Sequence, residues 1–100
     1  MTATSKPARL IVTQETRPIL PRHIKLRHDA GRGVWLLLAP ERVFTPDEVA
    51  VEVLKLCDGV RTVEDICGVL SGEFNAPVDV IRADIIAMLQ DLADKGVVKA

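Results

Sequence analysis

The sequence predicts an α+β domain in which a three-stranded antiparallel β-sheet, made of a hairpin and a short edge strand, is followed by a bundle of three helices. Three observations carry this. Residues 23–28 alternate polar and apolar side chains, and an apolar run over 34–39 follows across a glycine-bearing turn. Helix-start chemistry stands at 45–48 and again at Thr62. An apolar stripe with the 3.6-residue period of a helix then runs through residues 78–95.

In His23–His28, Ile24 and Leu26 fall on one face and Lys25 and Arg27 on the other, the period of a half-buried strand. Asp29-Ala30-Gly31-Arg32-Gly33 is turn chemistry, and Val34–Leu38 is the more deeply buried partner strand. Pro40 breaks the run, leaving Arg42-Val43-Phe44 as a short third strand at the sheet edge. Thr45 is expected to cap the first helix, with Pro46 at its first position and Glu48 closing a capping box. That helix is expected to bury Val49, Val53 and Leu56/Cys57 and to stop at Asp58-Gly59. Thr62 caps a second helix with Val63, Ile66, Cys67, Leu70 and Phe74 inward; Gly68 and Gly72 make it dependent on packing. The third helix, Val78 to Lys95, has a core stripe of Val78, Ile81, Ile85, Met88, Leu89 and Leu92. Gly96 ends it, and Val97-Val98 is expected to run along the sheet. This element order is winged helix-turn-helix-like.

One hundred residues fit one hydrophobic core, and 48% hydrophobic with 27% charged residues excludes both disorder and a membrane-embedded class. Residues 1–17 are polar and read as a flexible arm or linker, with Leu10-Ile11-Val12 apolar enough to dock on the domain or to pair with an edge strand; order is expected from Pro18, giving a domain over 18–100. No secretory signal is visible, and two cysteines without one point to a reducing compartment, the cytoplasm. The net charge of -1 conceals an asymmetry: residues 1–44 carry eight Lys/Arg against three acids (+5), and residues 45–100 five against eleven (-6). Such a split suggests a basic face and an acidic face, either able to steer a partner, unless each half merely solvates its own surface.

Catalytic and metal chemistry find no footing. Nine residues lie between Cys57 and Cys67, not the two of a C-x-x-C redox or zinc pair, and the two suit buried positions on two helices. His23 and His28 are five apart and fall on opposite faces of a strand, so they cannot share a metal. The acid pairs Asp47/Glu48 and Glu64/Asp65 sit in first helical turns, where they complement the macrodipole. The chain is therefore expected not to be an enzyme and to hold no cofactor or metal. A winged-helix nucleic-acid binder is the second reading, but its recognition helix would carry Asp79, Asp84, Asp91 and Asp94 against only Arg82 and Lys95. Phosphates would be repelled.

Peptide binding fits better. Arg42-Val43-Phe44 offers an edge for strand addition, and Arg82, Ile86 and Ala93 lie on a flank of the third helix off its core stripe. If that flank meets the sheet edge, the two form a groove. The bland alternative has Val43 and Phe44 completing the core, Phe44 as a hydrophobic staple, and Ile86 packing on the first helix. The basic hairpin residues Arg22, Lys25, Arg27 and Arg32 offer a docking face for a protein partner. An exposed strand edge also allows a weak homodimer beside the monomer.

Two strings are specific enough to suggest a family. Pro21-Arg22-His23-Ile24-Lys25-Leu26-Arg27-His28-Asp29 is followed by Trp35-Leu36-Leu37-Leu38-Ala39-Pro40-Glu41-Arg42-Val43-Phe44, and then by Leu56-Cys57-Asp58-Gly59 and Thr62-Val63. Over about residues 17–98 the chain resembles the PqqD family, peptide chaperones of pyrroloquinoline quinone (PQQ) biosynthesis. The resemblance implies a recognition element for a ribosomally made, modified peptide (RiPP). Such a domain binds the precursor peptide PqqA and presents it to the radical SAM enzyme PqqE, which cross-links a Glu and a Tyr within it. Iron–sulfur clusters and S-adenosylmethionine then belong to that partner. The resemblance also implies that the leader portion adds as a strand beside the third strand and against the third helix. That places it near Arg42, Val43 and Phe44 with Arg82 and Ile86 opposite. Some members of the family are fused to another pathway enzyme.

Overall fold

The computed structural model describes residues 9–100. Its elements follow the expected order: β1 (Lys25–Asp29), β2 (Val34–Ala39), β3 (Arg42–Phe44), α1 (Glu48–Lys55), α2 (Val63–Phe74) and α3 (Val78–Asp94). The strands form one antiparallel sheet in the order β1-β2-β3. Asp29 shapes the hairpin turn: its Oδ1 accepts from the N–H groups of Gly31 and Arg32, and Gly33 at φ +70° donates to the Asp29 carbonyl. Pro40 and Glu41 alone join β2 to β3, with Glu41 at φ 64°.

Register decides which face is which. Leu26 pairs with Leu37 and Leu37 with Phe44, so these three share one face. Leu37 is only 1% exposed, which turns that face toward the helices. The adjacent row, Lys25, Leu38 and Val43, therefore faces outward.

The helices settle on a core of Val53, Leu54, Val63, Ile66, Cys67, Leu70, Ile85 and Leu89, all buried. α1 starts later than expected. Its cap is Asp47, not Thr45: the Asp47 carboxylate accepts from the Ala50 N–H at 2.8 Å, and Glu48 is the first helical residue, not a capping partner. Helical backbone is disfavoured at the residue before a proline, which leaves Thr45 outside the helix, and the ionised carboxylate two residues on is the stronger cap. α1 accordingly buries Ala50, Val51, Val53 and Leu54, with Cys57 buried just beyond its end, while Val49, expected inside, is 41% exposed. α2 begins with a full capping box between Thr62 and Asp65 and ends at Asn75 in left-handed conformation. On α3, Ile81, Ile85, Leu89 and Leu92 are buried as expected, with Val78 and Met88 half-buried at the margin.

The N-terminal segment docks as Leu10-Ile11-Val12 allows but is ordered before Pro18, and the C-terminal valines depart from expectation. Of the arm expected over residues 1–17, residues 1–8 lie outside the described residues, and residues 9–17 pack on the helices. Val12 is buried; its N–H donates to the Gln90 side chain, whose amide donates back to the Leu10 carbonyl, each at 2.9 Å. Arg9 grips Asp94 with two 2.8 Å bonds. The carbonyls of Gln14 and Thr16 accept from the Glu64 and Val63 N–H groups, satisfying donors that open α2, and the Arg17 guanidinium donates to the Val60 carbonyl. At the other end Val97 and Val98 are buried, but they do not extend the sheet. Lys99 instead exchanges two backbone bonds with Ile19, at 2.8 and 2.9 Å.

Arg82 ties α2 to α3. Its guanidinium holds both carboxylate oxygens of Glu64 at 2.8 Å and Asp79 at 2.9 Å. Hydrogen bonding from Arg82 holds the Glu64 carboxyl below the usual carboxylate range. A depressed carboxyl stabilises the fold above its unfolded pKa, and that contribution is lost as pH falls through the folded value. Arg82→Gln should therefore raise the Glu64 pKa in an NMR titration and flatten the acid limb of the stability profile. A second prediction concerns Gly59, which sits at φ +79° with a virtual Cβ 3.1 Å from Ile19 Cδ1. Gly59→Ala should cost about 1–2 kcal/mol from the left-handed backbone alone, and more than Gly33→Ala, whose Cβ would meet nothing within 4 Å. Denaturant unfolding of the two variants checks this.

Candidate functional site

β3 pairs with β2 on one side only, and among the described residues its other edge has no strand partner. Val43, in the middle, is 63% exposed. Phe44 turns inward and is flanked by two cations: Arg42 and Lys95 each stand 5.9 Å from its ring centroid. Beneath this edge lies an open cleft of about 250 Å³, walled by Phe44 and Pro46, by Ala50 and Leu54 of α1, and by Met88, Asp91, Leu92 and Lys95 of α3. Its floor is apolar, and its rim carries the Asp91–Lys95 ion pair at 2.8 Å.

The sequence placed the other flank of α3 in this groove, and the structure corrects it. With Met88 at zero and about 100° per residue, Leu92 and Lys95 lie within about 40°, whereas Arg82, Ala93 and Ile86 lie about 120–160° away. Contacts agree with the geometry. Arg82 is spent on Glu64 of α2, Gln90 on that same far side holds the segment at Leu10–Val12, and Ile86 and Ala93 are half-buried against the core. Arg42, Val43 and Phe44 are thus brought together with Met88, Asp91, Leu92 and Lys95, not with Arg82, Ile86 and Ala93. Met88 and Leu92 had been assigned to the core stripe. No signal in the sequence singles them out, because both fall within about 60° of Ile85 and read as core positions.

The four basic hairpin residues do not form one cluster. Lys25 and Arg27 alternate onto the outward face of β1 and are exposed. Arg22 is exposed in the turn before β1, and Arg32 at the hairpin tip points its Nε to Asp29 at 3.6 Å. His28 faces the other way, its ring 5.0 Å from that of Trp35, over which Lys55 sits at 4.8 Å. On α3 both cations are paired, Arg82 with Glu64 and Asp79, Lys95 with Asp91. No cation on that helix is left to meet a phosphate.

Reactive groups are placed for packing. Cys57 is buried and donates to the Val53 carbonyl at 3.3 Å; burial, then the neighbouring Asp58, pushes its thiol up to about 12. Burial also raises the Cys67 thiol. Neither is a thiolate at neutral pH. Among the described residues no three His, Cys, Asp or Glu side chains gather as a metal site would need, and no helix is long and apolar enough to cross a membrane.

An exposed strand edge beside an apolar cleft presents free main-chain groups and a side-chain pocket together, as strand addition requires. Comparison with known proteins bears on whose surface it is. Residues 35–98 match the family model for coenzyme PQQ synthesis protein D (PqqD). A PqqA binding protein of Bradyrhizobium diazoefficiens is 56% identical over 90 residues, covering 90% of this chain and 87% of that one. The bifunctional coenzyme PQQ synthesis protein C/D of Methylorubrum extorquens is 48% identical over 82 residues, which are 82% of this chain and 22% of that longer protein. Among solved structures, the NMR structure of the PqqD truncation of Methylobacterium extorquens PqqCD, described as a functional and stand-alone RiPP recognition element, superposes with a TM-score of 0.79 at 44% identity. That match covers 89% of this chain and 95% of the other. Sequence model, relatives and fold agree, and the chain belongs to the PqqD family.

Proposed function

We propose that this chain is a non-catalytic RiPP recognition element, which binds the precursor peptide PqqA in PQQ biosynthesis and presents it to the radical SAM enzyme PqqE. One observation carries the reading: the unpaired edge of β3 lies directly over the cleft between Phe44 and α3. An extended peptide added there gains main-chain hydrogen bonds along Arg42–Phe44. Every second side chain drops toward Met88 and Leu92. Affinity then comes from the backbone ladder and selectivity from the cleft, with the Asp91–Lys95 pair able to meet polar groups of either sign at its rim. The relatives support the peptide: one is a PqqA binding protein, and another carries the C and D functions in one chain. Cys57 and Cys67 are buried away from the cleft and their thiols are raised by burial, which suits a chain that leaves the chemistry to the enzyme receiving the peptide.

Titration of PqqA into the isotope-labelled chain should shift the amides of residues 41–45, 88 and 91–95. Shifts confined to residues 22–32 would remove this site. Met88→Glu buries a charge against the peptide and should weaken binding at least tenfold, about 1.4 kcal/mol. Val43→Pro takes a main-chain donor from a three-residue strand and should weaken it too. Arg82→Gln, on the opposite flank, should leave affinity within twofold; a tenfold loss there would return the groove to the Arg82–Ile86 side.

A further inference from the structure

The outward face of the sheet breaks the rule that a one-sided antiparallel sheet shows polar residues to water. β2 places Trp35, Leu37 and Ala39 toward the helices, yet its outward positions Val34, Leu36 and Leu38 are apolar as well. Across the ladder, Val43 of β3 lies beside Leu38. Val34 is 39% and Val43 63% exposed, with Leu36 and Leu38 half-buried between them. Two cations border this row: Lys25 opposite Leu38 and Arg27 opposite Leu36. Among the described residues neither makes an ion pair. The acid of the same face, Asp29, is already engaged by the Gly31 and Arg32 N–H groups and by the Arg32 side chain.

We propose that this face, the apolar row Val34–Leu36–Leu38–Val43 edged by Lys25 and Arg27, docks an acidic-rimmed apolar surface of the enzyme that modifies the bound peptide. Two features select that occupant. The first is charge: the unpaired cations call for a partner carrying carboxylates. A second copy is disfavoured. Face-to-face pairing crowds four like charges from two chains, and a contact between this face and another copy's acidic helices is head-to-tail and does not close. The second is continuity. Val43 belongs both to this row and to the edge where the peptide adds. A strand bound at β3 widens the face, and its outward side chains lie in line with Leu38 and Val43. A protein docked here touches chaperone and peptide together, so each raises the affinity of the other.

The inference rests on strand addition at β3, and the test separates the two. Affinities of the full chain for PqqA alone, for PqqE alone, and for PqqE with saturating PqqA are measured by anisotropy, alongside the double variant Lys25→Glu/Arg27→Glu. Both side chains are exposed, and amide dispersion checks the fold. Expected are peptide affinity within twofold of the wild type, enzyme affinity down at least tenfold, and a flatter salt dependence in the variant. Val34→Glu, at the far end of the row, should lower enzyme affinity several-fold as well. Wild-type affinity for PqqE should be higher with PqqA bound than without. Unchanged enzyme binding by both variants, or no binding by the wild type, overturns the docking face. Equal enzyme affinity with and without peptide overturns the shared surface. Loss of peptide binding in the double variant assigns the face to the peptide instead. A wild-type dimer that the double variant dissolves assigns it to a second copy. Failure of PqqA to bind the wild type overturns the peptide reading, whatever PqqE does.

Discussion

The register of β2 is the constraint on which the rest depends. Leu37 pairs with Leu26 on one side and Phe44 on the other, and its burial at 1% fixes that row against the helices. A slip of one residue would exchange the two faces. Leu38 and Val43 would turn inward, Phe44 would turn to solvent, and the cleft over Met88 and Leu92 would lose its wall. Local chemistry guards against this. Asp29 and Gly33 set one turn, and the two-residue Pro40–Glu41 link sets the other, so β3 has no freedom to slide although it is only three residues long.

α3 is asymmetric in a way that divides labour. One flank, with Arg82, Ile86 and Gln90, is occupied by α2 and by the segment at Arg9–Val12. These contacts hold the helix in place without approaching the cleft. The other flank, with Met88, Asp91 and Lys95, is left facing the edge of the sheet. Anchored from behind, α3 keeps its Met88 flank positioned beside the edge of β3. The Ile19–Lys99 and Pro18–Gly59 backbone bonds close the base of the domain in the same manner, away from the site.

Function follows from what is left unsatisfied. Among the described residues, main-chain groups at an open edge, an apolar cleft beside it and two cations without an ion pair on the far face of the sheet are the kinds of feature that recognition uses. The titratable groups that are perturbed serve structure instead: Asp58 and Asp65 are held low by backbone N–H groups at turns and caps, and Glu64 by Arg82. These carboxyls sit at helix ends and in a helix–helix clamp.

Much of this was legible in the residues. Alternation in His23–His28, the Gly-bearing turn, the Thr62 cap and the 3.6-residue stripe of α3 report local geometry directly, because strand and helix periods act on neighbouring side chains. The edge position of Arg42–Phe44 followed from Pro40 and the shortness of the run. Chain ends were less legible: Leu10–Val12 and Val97–Val98 read as apolar, but their partners, Gln90 and Ile19, are distant in sequence. The flank of α3 was not legible at all. Periodicity places Ile86 and Met88 on opposite sides of the core stripe with equal validity, about 100° and 60° from Ile85. Which side meets the sheet depends on how the chain turns at Asp47 and Thr62, and so on long-range packing. An open edge and a helix flank are written into strand and helix periods, which act locally. That they meet at Met88 and Lys95 is set by packing, because handedness between elements is a property of their packing and not of their periods.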